Sequence, residues 1–86
     1  MKFIKTADIN YGDKKVYNDY YHTYMAKFVH STGLPEYVNG EEEKRKRLVT
    51  KTEAAKKKLK YDSSKIYGFL RVWHGFVPLY LSEDEF

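Results

Sequence analysis

The chain has 86 residues, no cysteine and a formal net charge of +4. Without thiols there is no disulfide framework and no thiolate metal site, and the length suits a single domain, residues 1–86, with a small core. No apolar run approaches the roughly 20 residues that span a bilayer, and the opening MKFIKTADINYGDKK has no continuous apolar core for a signal peptide, so the expectation is a cytoplasmic protein with no membrane partner.

The charge is unevenly placed. Residues 44–60 hold nine cations, Lys44, Arg45, Lys46, Arg47, Lys51, Lys56, Lys57, Lys58 and Lys60, against Glu53 alone. The segments on either side are net acidic. Concentrated positive charge points to a polyanionic partner more than an even solubility charge does.

In chain order, residues 1–5 read as a short strand and Asn10 to Asp13 as a turn. Asp13 then caps a helix running to about Thr32. Its stripe of Tyr17, Tyr20, Tyr21, Tyr24, Met25 and Phe28 has helical spacing. Gly33 ends it and Pro35 follows. Either this stripe lies on a sheet with its hydroxyls at the rim, or some of these tyrosines face a ligand. Asn39 caps a second helix reaching about Tyr61, with Glu41, Glu42 and Glu43 in its first turn and the basic run toward its end. Its apolar stripe, Leu48, Thr52, Ala55 and Leu59, is thin, so most of its surface is solvated cation. Glu83 to Phe86 is an acidic tail.

Residues 65–82 alternate with a period of two and fold into a hairpin. Ile66, Leu70, Val72, Val77, Leu79 and Leu81 take one face. Lys65, Tyr67, Phe69, Arg71, Trp73, Phe76 and Tyr80 take the other. Pro78 cannot donate to a ladder, which favours a four-residue loop over Trp73 to Phe76 and an edge strand over 77–82. The pairs are then Val72 with Val77, Leu70 with Leu79, and Phe69 with Tyr80. The expected fold is α+β: two helices packed on a small antiparallel sheet built around this C-terminal β-hairpin. The rival makes 63–73 a helix, because Ile66, Leu70 and Trp73 also fit helical spacing.

Enzymatic residue sets are sparse, and the expectation is a protein that is not an enzyme and carries no cofactor. His22 and His30 would lie about 12 Å apart on one helix, with no carboxylate pair to complete a metal shell. There is no triad setting and no GxGxxG or GxxxxGK[ST] loop. His74, with Arg71 and Tyr67, keeps a small ribonuclease in view as a further alternative.

Nucleic-acid binding has the stronger physical case. Lys44, Arg45, Lys46, Arg47, Lys51, Lys56, Lys57 and Lys58 would displace counterions from phosphates. Tyr67, Phe69 and Trp73, interleaved with Lys65 and Arg71, would stack bases. The octamer Lys65-Ile66-Tyr67-Gly68-Phe69-Leu70-Arg71-Val72 resembles the RNP1 segment of RNA-recognition motifs at Lys65, Tyr67, Gly68 and Phe69. Ile66 and Val72 depart from it. That family's topology needs a helix and a strand after the octamer, and only fourteen residues follow here. The likeness therefore implies a local base-stacking device and not the fold. Thr50-Lys51-Thr52-Glu53-Ala54-Ala55, with Leu59 and Ile66-Tyr67, resembles a pattern of helix-turn-helix regulators, with the spacing to Leu59 off by one. It implies a winged helix-turn-helix, with 63–73 as recognition helix and 76–82 as wing. RNA or single strands are favoured over duplex DNA. The alternative is a small phage or mobile-element type inhibitor or accessory protein that neutralises a protein partner. A homodimer through the edge strand 77–82 is a further partner expectation.

Overall fold

The computed structural model describes residues 2–45 and 47–83, and shows a small α+β domain with a mixed sheet. The strands are β1 (Ile4–Lys5), β2 (Tyr17–Asn18), β3 (Thr23–Tyr24), β4 (Glu36–Tyr37), β5 (Leu48–Val49), β6 (Lys65–Ile66), β7 (Gly68–Val72) and β8 (Gly75–Leu81). The helices among the described residues are α1 (Ala26–Thr32), α2 (Glu42–Arg45) and α3 (Lys51–Lys57), with a 3-10 turn at Thr6–Asp8. The main sheet runs β2-β3-β8-β7-β4, with β5 also on β8, and β1 pairs with β6. All pairs are antiparallel except β4 with β7.

The C-terminal hairpin is present, with a tighter turn than expected. Val72 faces Gly75, Arg71 faces Phe76, Leu70 faces Val77 and Phe69 faces Pro78, so only Trp73 and His74 form the turn. The register slips by two residues, which keeps side chains from Phe69 onward on their expected faces. Upstream the faces exchange. Tyr67 N–H donates to Leu79 O at 3.0 Å while Gly68 also sits opposite Leu79. That extra residue is a β-bulge. It sends Ile66 into the cluster of Tyr24, Val29, Leu34, Phe69 and Phe76, and Tyr67 against Leu48, Leu70 and Leu79. The recognition-helix alternative is overturned, because 65–66 and 68–72 are extended.

β8 is interior, which corrects the edge-strand expectation for 77–82. β7 occupies one side, and β3 and β5 share the other at Phe76 and at Tyr80–Leu81. Pro78 fits because Phe69 N–H turns away from β8 to Pro35 O, at 2.9 Å. In that pair the backbone groups point outward. The N–H that proline lacks would therefore have faced the gap between β3 and β5.

The expected helix 13–32 shrinks to α1. Asp13 caps a single turn: its Oδ1 accepts from Lys15 N–H and its carbonyl from Val16 and Tyr17 N–H. Asn18 Oδ1 then accepts from Tyr20 and Tyr21 N–H, and His22 takes a left-handed φ of 55°. Asx turns of this kind compete with helix, and β-branched and aromatic neighbours favour strand. The stripe therefore splits into the β2–β3 hairpin and α1. Gly33 ends α1 in a left-handed conformation, as expected.

The expected helix 39–61 is broken by β5. Leu48 and Val49 leave the helix to pair with Leu81 and Tyr80. Thr50 restarts it with a capping box: its hydroxyl accepts from Glu53 N–H, and Glu53 Oε1 accepts from Thr50 N–H at 3.0 Å. The reciprocal pair satisfies two orphan donors of a helix start. No described helix is long and apolar enough to cross a membrane. Lys46 and residues 84–86 of the expected acidic tail lie outside the described residues.

Candidate nucleic-acid interface

The sequence-derived site residues do not share one surface. Phe69 is 0% exposed, with Tyr24 and Phe28 rings 5.6 and 6.5 Å away, so no base reaches it. The first tyrosine segment and α1 cover the face expected to be open. Arg45 is 5% exposed and donates from Nη1 and Nη2 to the two Glu53 oxygens at 2.6 and 3.0 Å. It is a structural cation, unsuited to phosphate. Lys44 Nζ pairs with Glu41 at 2.8 Å, and Arg47 donates to Ser82 O at 2.7 Å.

Tyr67 shares a hollow with Phe3, Lys44, Arg45 and Arg47, while Lys65 Nζ sits 5.0 Å from the Phe3 ring centroid. Tyr67 lies seven residues of extended chain from His74, about 20 Å by strand rise, so His74, Arg71 and Tyr67 do not converge. Lys51, Lys56, Lys57 and Lys58 are exposed on α3 and its cap.

Trp73 is 91% exposed at the β7–β8 turn. It is one of a set of rings that the sequence reading assembled only in part. The His74 ring lies flat on Tyr21, with centroids 3.9 Å apart and planes 8° from parallel. Trp73 stacks on His74 at 4.5 Å and 25°. Tyr20, 82% exposed, meets Tyr21 edge-on at 4.7 Å. Two hairpin tips supply these rings, and their approach is fixed by backbone. Thr23 Oγ1 donates to His74 O at 2.9 Å, and Tyr24 pairs with Phe76. Gly75 sits at φ 144°, and a Cβ there would lie 2.8 Å from Thr23 Oγ1 and 2.9 Å from Tyr24 O. Only glycine allows the strands so close. Asn18, a strong turn former within a tyrosine-rich run, was the signal that could have placed Tyr20 and Tyr21 on a loop.

Behind this tip a cleft of about 630 Å³ occupies the gap between β3 and β5. Its walls include Tyr17, Tyr24, Tyr80, His22, Lys51 and Thr52. Val77 and Pro78 line its floor. Tyr11 and Tyr24 hydroxyls hydrogen-bond at 2.6 Å. Burial pushes the Tyr24 hydroxyl well up, reinforced by Tyr11, and pushes Tyr80 up to about 12. Burial also raises Tyr17. These phenols are neutral at physiological pH, so the cleft offers ring faces and hydroxyls beside one cation. His22 and Val72 adjoin Tyr21 and Trp73 in sequence, so tip and cleft are neighbours.

Comparison with protein-family models, with curated proteins and with solved structures finds no match.

Proposed function

We propose that the protein is a small, non-enzymatic nucleic-acid-binding module that takes RNA or single strands on the aromatic tip. The observation that carries the reading is the exposed, stacked set of Trp73, His74 and Tyr21, with Tyr20 at its edge. Base stacking on exposed rings is sequence-tolerant, because every base has a π face. Phosphates would follow Arg71 at the tip and the exposed lysines of α3. The basic run acts here as a broken line of charges, since Arg45 serves the fold. Titration of labelled single-stranded RNA and DNA across a salt series tests this. Binding that weakens steeply with salt supports it, and no binding at low salt ends it.

A second reading, a small inhibitor or accessory protein that binds a protein partner, is favoured by one observation. Arg45 and Lys44 are matched by carboxylates, whereas Trp73 and Tyr20 are anchors of the type that dominate protein interfaces. A stoichiometric protein partner recovered free of nucleic acid, and lost on Trp73→Ala, is the result that would favour it.

A further inference from the structure

We infer that the cleft between β3 and β5 is a mononucleotide subsite, taking one base against its tyrosine wall and its phosphate on Lys51. The inference deepens the nucleic-acid reading and rests on it for the class of ligand.

The site is built by topology. β3 and β5 meet the same side of β8 at opposite ends, leaving residues 77–79 without a described strand on that side. Pro78 keeps this stretch from needing a partner for an N–H. The alternation of the ladder leaves the Pro78 carbonyl facing the gap, as an acceptor for the amino group of a base. The volume, about 630 Å³, lies within the range of small-molecule pockets.

Tyr17 and Tyr24 stand edge to face, with centroids 5.1 Å apart, which fixes their orientation without any ligand. Among the described residues, nothing hydrogen-bonds the hydroxyls of Tyr17, Tyr80 or Thr52, or the ammonium of Lys51, all of which line the cleft. Three neutral hydroxyls and one cation match a nucleoside phosphate: the hydroxyls suit sugar and base edges, and the ammonium suits the phosphate. A purely apolar guest would cover the Tyr17 and Tyr80 hydroxyls without giving them partners. An inorganic anion would leave the ring walls without a use. The position next to the tip lets a strand stacked on Trp73 and His74 place its next nucleotide in the cleft.

The test titrates the protein with adenosine 5′-monophosphate and with adenosine, following tyrosine ring signals by NMR. The nucleotide is expected to bind about tenfold tighter than the nucleoside, the size of one charge-assisted contact. Lys51→Ala, a change on an exposed side chain, should abolish that difference. Tyr17→Ala should weaken both ligands, while Tyr17→Phe, which keeps the ring if the alanine variant fails to fold, should weaken them less. Trp73→Ala should leave both unchanged. The subsite is overturned if neither ligand moves the Tyr17 and Tyr80 signals, if Lys51→Ala binds both as the parent does, or if Trp73→Ala removes the binding. Loss of the subsite alone leaves Trp73-dependent oligonucleotide binding intact. Loss of the tip reading alone leaves mononucleotide binding without oligonucleotide binding.

Discussion

The hydroxyl of Thr23 donates to the main-chain carbonyl of His74 across 51 residues of sequence, at 2.9 Å. This bond joins the tips of two hairpins and sets the His74 ring on Tyr21. The close packing at Gly75 makes the junction intolerant of a side chain. Gly75→Ala is expected to cost on the order of 1–3 kcal/mol from the strained backbone, with the Thr23 clash in addition. Urea unfolding measures the loss. Thr23→Val keeps the shape and removes the donor, so it should cost about 1 kcal/mol and shift the His74 ring resonances by NMR.

Glu53 holds Arg45 through both oxygens while closing the capping box of α3. One carboxylate thus serves a buried guanidinium and a helix start. Glu53→Ala should destabilise by about 3–5 kcal/mol, because the buried charge loses its counterion. A midpoint in urea indistinguishable from that of the parent would contradict the assignment of Arg45 to the fold.

The same pair makes stability depend on acid pH. The Arg45 hydrogen bonds hold the Glu53 carboxyl down to about 2, below its unfolded value. The ionised form therefore favours the folded state. Its contribution is complete above the ordinary carboxylate pKa, about 4.3, and is lost as pH falls from there toward 2. Thermal unfolding between pH 5 and 2 should show Tm falling more steeply in the parent than in a Glu53→Gln variant, in the limits of about pH 2–5 set by those values.

The cleft makes a prediction at alkaline pH. Tyr80 is raised to about 12 by burial, and Tyr24 is raised further by burial and Tyr11. Their neutral forms favour the folded state, so that stability is present below the unfolded pKa of about 10 and is lost as pH rises through the folded values. Absorbance near 295 nm should show a late fraction of tyrosine ionisation appearing with unfolding. Tyr80→Phe should shrink that late fraction.

The hairpin 65–82, the end of α1 at Gly33 and the outward aspect of Pro78 were legible, because each rests on a local rule: period-two alternation, a left-handed cap and a missing N–H. The bulge at Tyr67 was not, since one extra residue leaves no mark in composition yet exchanges the faces of Ile66 and Tyr67. Tyr17 to Phe28 satisfies helical spacing, and the Asx turn at Asn18 overrides it. Thr50-x-x-Glu53 was available as a helix start, but the Lys and Arg clusters on either side of it masked the break at Leu48–Val49. Of the candidate site, Trp73 and the lysines of α3 were placed correctly as exposed. Phe69 and Arg45 were not, because whether a ring or a cation meets solvent is decided by partners distant in sequence, here Phe28 and Glu53. The cleft was foreshadowed only by the unusual concentration of four tyrosines on one stripe.

The central claim is that the exposed rings at the tip receive bases. It is tested most directly by fluorescence anisotropy of a labelled single-stranded RNA at low salt, comparing the parent with Trp73→Ala. Trp73 is solvent-exposed, so the variant should keep the urea midpoint of the parent. The expected result is a loss of about 1–3 kcal/mol, roughly 5- to 150-fold in affinity. Equal affinity for parent and variant, or no binding by either, would contradict the account.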